Sequence, residues 1–400
     1  MESQTNTQIT ESTRATLSDP ARTNFDNYSG HQSTVDDPDS REDAEGRIWQ
    51  NYRPDKYFLP NDSTEQDRLN LIHRAFCLQL YLLQDPVERS HKVEDALLLY
   101  DDPYCLSSML GFAKRWKLHG AFHSTIHEVA CLEAIAKLSL RSAPIKGDPP
   151  RVLDIGTGTG IWAIEFARCH PESQVIGADL SLIQPDVSAT VPNVSFVRAD
   201  AEEEWMCGAP FDLVHARLMF SCYVSHRDVI KRVFDNLNPG GWIEYQDNSF
   251  SIDSDDNSHR GTGLHQWGHL AQAGAAAKGR DFEAARKFKD YFVEAGFVDV
   301  VEIRCKVIGS AWPSTEPEQS LGRYTSVSSF EVVKNVSRKL LGEGGLGLPE
   351  DVIQPIVAQA LKDVADPNIH FYWPGYIVYG RKPFAHEIAS APSSSGTAQH

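Results

Sequence analysis

Three glycines at alternate positions, Gly156, Gly158 and Gly160, separate the apolar run Val152-Leu-Asp-Ile155 from the helix-like stretch Ile161-Trp-Ala-Ile-Glu-Phe-Ala167. No other feature limits so tightly what the chain can fold into. Glycine lacks the Cβ that blocks close approach of backbone to a ligand, and the first amides of the following helix favour a negative group. The spacing then separates kinds of ligand. A G-x-G-x-x-G diphosphate cradle would need glycine at 161, where isoleucine stands, and an acid, Asp154, lies two residues before the first glycine.

The strand and helix pattern continues downstream. Gln174 to Asp179 reads as a second strand ending in a carboxylate, the place where ribose hydroxyls are gripped in such folds, so Asp179 is the ribose candidate. Val194 to Val197 reads as a third strand, ending near Asp200-Ala201, where an acid can accept from an adenine amino group. Phe211 to His215 is a fourth, and Leu237-Asn-Pro-Gly-Gly reads as a helix ending at glycines before a fifth that runs to Gln246. Val298 to Ile303 and Tyr376 to Arg381 complete seven strands. Such alternation predicts an α/β, doubly wound, mainly parallel sheet with its ligand at the carboxyl ends of the strands.

The Asp154-x-Gly-x-Gly-x-Gly160 pattern resembles motif I of class I S-adenosylmethionine (SAM) methyltransferases. An acid there suits SAM, whose ammonium and sulfonium have no counterpart in a dinucleotide diphosphate. Gly46-Arg-Ile-Trp-Gln-Asn-Tyr-Arg-Pro-Asp-Lys-Tyr57, Leu59-Pro-Asn-Asp62, Ile176-Gly-Ala-Asp-Leu-Ser181, Asp200-Ala-Glu-Glu-Glu-Trp205, His215-Ala-Arg-Leu218 and Val378-Tyr-Gly-Arg-Lys-Pro383 narrow this further. These blocks are similar to those of fungal LaeA-like methyltransferases over roughly residues 46 to 383. The resemblance implies a Rossmann-like class I fold with SAM as cofactor. It implies cofactor contacts from Tyr57, His73, Asp154, Gly156, Thr157, Gly158, Gly160, Asp179, Leu180, Asp200, Ala201 and Arg217. It also implies methyl transfer to an O or N atom of a small natural-product-like acceptor in secondary metabolism. Two alternatives stay open: a LaeA-like nuclear regulator acting through protein partners, and a SAM-binding catalyst that transfers no methyl group.

The chain departs from the family in a long stretch around Gln84 to Ala143, whose apolar content argues for packed helices. The expected organisation is a tail at 1–44, a helical cap at 46–145, the SAM-binding core at 146–304, a helical insertion at 305–372 forming a substrate lid, the last strand at 373–384, and a tail at 385–400. Both tails are expected to be disordered. Helices are expected at Ser328 to Leu341 and Pro349 to Val364 within the insertion. No apolar run suggests a membrane span or export signal, which points to a cytoplasmic enzyme, nuclear if it is regulatory. Seven scattered cysteines without C-x-x-C spacing read as thiols in a reducing compartment. A formal net charge of -17 disfavours nucleic acid as a partner.

Methyl transfer to a phenol, acid or amine is helped by a general base. The candidates are His73, His119, His123, His127, His215 and Asp247. His119, His123 and His127 share i, i+4 spacing, which would also suit a metal pair, but no acid or cysteine stands at ligand spacing from them. No metal is therefore expected.

Overall fold

The computed structural model describes residues 39–43, 46–54, 56–83, 140–205 and 208–390, and the stretch from Gln84 to Ser139 with His119, His123 and His127 lies outside them. A hairpin of β1 (Ser40–Glu42) and β2 (Ile48–Gln50) leads into α1 (Ser63–Leu82). The core then runs β3 (Arg151–Ile155), α2 (Ile161–Cys169), β4 (Gln174–Asp179), β5 (Val194–Arg198), β6 (Phe211–Arg217), α3 (His226–Asn236) and β7 (Leu237–Asn248). After these come α4 (Gly263–Ala277), α5 (Phe288–Ala295), β8 (Val298–Ile308), α6 (Glu316–Leu341), α7 (Glu350–Ala365), β9 (Tyr372–Arg381) and α8 (Ala385–Ser390).

Seven strands form one sheet in the order β5-β4-β3-β6-β7-β9-β8. β9 is antiparallel to β7 and β8, and the other neighbours are parallel. Val152, Leu153 and Ile155, like Leu213 and Val214 next door, are buried because helices cover both faces of the sheet. Chain order reverses between β3 and β6, and a crevice opens there at the strands' carboxyl ends. Among the described residues no helix is long and apolar enough to cross a membrane.

Several expectations need correction. The helix before β7 ends at Asn236, not at the glycines: Leu237 is already extended, and Gly240, at φ 84°, lies inside the strand against the Phe384 ring. β8 runs on to Ile308 and β9 begins at Tyr372, so both strands are longer than expected. Neither tail is wholly without structure. Ser40–Glu42 pairs with β2, and α8 forms within 385–400, where Arg381 pairs with Glu387 at 2.7 Å.

The segment from Gly46 to Asp62 lies along α6. Arg47 pairs with Asp62 and donates to Asn335 Oδ1 at 2.6 Å, and Lys339 Nζ sits 3.5 Å from the centre of the Trp49 ring. Arg68 of α1 donates to Ser328 Oγ of α6 at 2.9 Å. Beneath, α4, α6 and α7 bury Trp267, Val333, Leu340 and Ala360 in a second apolar cluster that adjoins the sheet's antiparallel end.

Candidate active site

A cavity of about 300 Å3 opens at the carboxyl ends of β3, β4, β5 and β6. Its first half is polar. Gly158 takes φ 56°, where side chains are strained, and a Cβ there would stand 3.3 Å from Leu69 of α1. Gln184 donates to Gly158 O at 2.6 Å, and Thr159 Oγ1 donates to Asn70 Oδ1 at 2.7 Å, so the loop is held from two sides. Asp179, ending β4, accepts from Gly158 N at 2.8 Å and from Ser181 N at 3.0 Å. Burial outweighs those donors and raises its carboxyl to about 6. Asp154 accepts from Thr157 Oγ1 at 2.6 Å and from His215 Nδ1 at 2.7 Å. Beyond β5, Asp200 pairs with Lys56 Nζ at 2.6 Å.

The second half is apolar. Phe220, Phe250, Phe282 and Trp373 line it, with Phe250 at 5.3, 4.9 and 5.1 Å from the other three ring centres. Val307, Val332 and Tyr57 also line the cavity. Burial, then the charge of Glu65, raises the Tyr57 hydroxyl well above its usual range, and burial pushes the Cys222 thiol up to about 12. Both keep their protons near neutral pH.

Of the residues singled out from sequence, Tyr57, Asp154, Gly156, Thr157, Gly158, Asp179, Leu180, Asp200, Ala201, His215 and Arg217 come together around this cavity. Three do not. Gly160 is the left-handed cap of α2, and its missing Cβ makes room for the Phe196 ring. Asp247, 1% exposed, is spent on backbone: it accepts from Met219 N at 2.8 Å and from Asn248 N at 2.9 Å, and burial raises it to about 8. It holds the turn after β6, where Leu218 has φ 56°.

His73 lies wholly buried behind the cavity wall. Its Nε2 donates to Glu165 at 2.8 Å and its Nδ1 accepts from Arg217 at 2.6 Å, which leaves no nitrogen for a substrate. Burial and the charge of Arg217 lower the imidazole to about 4, so it is neutral. Burial alone would raise the Glu165 carboxyl, but Arg74, 2.7 Å away, pulls it well below the usual range. The fold also brings Cys77 to 3.5 Å from His73 Nε2, a grouping of His, Cys and Glu that the linear spacing did not suggest. Two guanidiniums border it, and their charge opposes a cation there.

Sequence reasoning missed Lys56, Arg68 and the aromatic wall. Only Phe220, just past the end of β6, carried a usable signal, because strand-end loops face the ligand crevice.

A protein-family model described as a methyltransferase domain matches residues 125–302. The chain is 30% identical over 262 residues to the probable methyltransferase tdiE of Emericella nidulans, covering 65% of this chain and 80% of that protein. It is 28% identical to the secondary metabolism regulator laeA of Monascus pilosus, over 93% of this chain and 83% of that one. It is 26% identical to the methyltransferase pytC of Aspergillus terreus, over 85% and 87% of the two chains.

Proposed function

The chain belongs to the fungal LaeA-like family of SAM-dependent methyltransferases, and from that premise we propose that it methylates an O or N atom of a small, ring-bearing, natural-product-like acceptor. The observation that carries this reading is the apolar half of the cavity, where four aromatic rings converge beside the polar half. Such a wall binds planar apolar molecules and excludes water from the reacting atoms.

The polar half fits SAM. Gly158 leaves room for close approach, Asp179 offers a carboxylate at the end of β4, and Asp200 offers another beyond β5, the placements expected for ribose and adenine. SAM supplies a methyl group already activated by its sulfonium. The protein's own part is then to hold the acceptor in line and dry, an effect worth about 7–11 kcal/mol in favourable cases. His73 and Asp247 face away from the acceptor, and the Tyr57 and Cys222 groups stay protonated, so none of these four is the base. An acceptor that arrives ionised, or as a free amine, needs none.

Purified protein, SAM and an extract of the source's metabolites should yield a product heavier by one CH2, seen by mass spectrometry. A regulatory role through protein partners is the second reading, favoured by the likeness to the Monascus regulator along nearly the whole chain. It predicts no heavier metabolite in that assay, and methyl transfer to protein when a protein extract replaces the metabolites.

A further inference from the structure

Rings wall the apolar half of the cavity, yet Asn248 places on the lining a polar atom without a partner. It closes β7 at the carboxyl end and is 8% exposed. The register sets Asn248 opposite Gly375 on β9, and Trp373 of β9 opposite Val307 on β8. Side chains of opposed residues share a face of the sheet, and so do those two apart along a strand. Asn248, Trp373 and Val307 therefore stand on one face, and all three line the cavity. Phe250 follows two residues later, and the preceding Asp247 holds the turn that carries Phe220. The backbone thus brings Asn248 to the ring wall, away from the glycine loop.

One hydrogen bond orients its amide. Nδ2 donates to Ser249 O at 3.2 Å, and since a backbone carbonyl only accepts, the NH2 end must face it and Oδ1 is the end left over. No described residue donates to Oδ1, and it is not among the atoms sealed from solvent. Three hydroxyls on the same lining are already engaged: Ser328 accepts from Arg68 at 2.9 Å, Ser329 accepts from Trp373 Nε1 at 3.3 Å, and Thr325 donates to Ile308 O. A carbonyl oxygen kept beside aromatic rings without a donor is costly, and a bound molecule that supplies one removes the cost.

We propose that Asn248 sets the specificity of the acceptor half, its Oδ1 accepting a hydrogen bond from an N–H or O–H carried by the acceptor's ring system. The acceptor is then an indole-, lactam- or phenol-like molecule, and a ring hydrocarbon or fully alkylated analogue of the same shape is disfavoured. An amide oxygen takes up no proton near neutral pH, so Asn248 orients the acceptor and is not its base. The proposal rests on the reading that the apolar half holds the acceptor.

Indole and indene test it, since they share a bicyclic frame and only indole carries a donor. Each is titrated into the full chain by ligand-observed nuclear magnetic resonance with S-adenosylhomocysteine present. Wild-type protein should bind indole about three- to tenfold more tightly than indene, the range for one net hydrogen bond. Asn248→Leu, close in volume, should bring the two within about twofold of each other and leave S-adenosylhomocysteine affinity within about twofold of wild type. Equal binding of the two bicycles by wild type, or a preference for indole that survives in Asn248→Leu, would overturn the proposal. If the leucine variant does not fold, Asn248→Asp decides together with wild type: it keeps an acceptor oxygen in either protonation state, so it should keep the preference, and its loss there would overturn the proposal. Wild-type protein that binds neither bicycle would sink the reading of the apolar half as a ring pocket, and the proposal with it.

Discussion

In the polar half of the cavity each functional side chain stands at or near a strand end and is gripped by a neighbour: Asp179 by two backbone amides, Asp154 by Thr157 and His215, Asp200 by Lys56. In the apolar half the four aromatic rings come from four separate places, the turns after β6 and β7, the turn after α4, and β9, and they pack mainly on one another. The polar half is preorganised by the sheet, because a buried charge needs its partners in fixed positions. The apolar half is set by volume alone, so its shape can change without disturbing the donor's seat.

Gly158→Val strikes the polar half hardest. Strain at φ 56°, on the order of 1–2 kcal/mol, and the added bulk should abolish SAM binding in calorimetry while far-ultraviolet circular dichroism stays unchanged. Tight binding by that variant would break the assignment of this loop to the cofactor.

His73→Ala attacks the same half from behind. Breaking the buried network of Arg217, His73 and Glu165 should cost about 3–5 kcal/mol in denaturant unfolding. His73 also sets a pH window. Its folded value of about 4 lies below its ordinary 6.5, so the folded state is penalised as pH drops below 6.5, and the full penalty is reached below about 4. His73→Gln should flatten the fall in stability across that window. An unchanged profile would assign the loss to other groups.

Val332→Trp sharpens the contrast from the apolar side. The indole fills the acceptor half, so turnover should fall by about 10²-fold, the cost of displacing the reacting atoms by roughly an ångström. SAM affinity should stay within twofold of wild type. If affinity falls with turnover, the two halves are not independent.

The polar half was the more legible of the two in sequence. Glycine spacing and an acid at a strand end are local signals, and Asp154, Gly158, Asp179 and Asp200 follow from them directly. His73 was misplaced because its role depends on Glu165 and Arg217, far away in sequence, which turn it from the cavity. Asp247 misled for a related reason: its strand-end position is right, but the turn at Met219 takes its oxygens. Gly240 looked like a helix stop, yet it serves a strand that must pass the Phe384 ring. The aromatic wall left no linear trace, since rings that meet at about 5 Å come from segments with no common period.

The central claim is that SAM is held by carboxylates at the strand ends of the polar half, and SAM titration across pH for wild type and Asp179→Asn tests it most directly. Asp179 ionises near pH 6, well above its ordinary 3.8, and only the ionised form offers its full accepting strength to ribose hydroxyls. Wild-type affinity should therefore weaken as pH falls below about 6, approaching tenfold per pH unit. The variant should bind more weakly by about 1.5–3 kcal/mol at pH 8 and lose that dependence. Equal affinities and identical pH profiles for the two proteins would contradict the account.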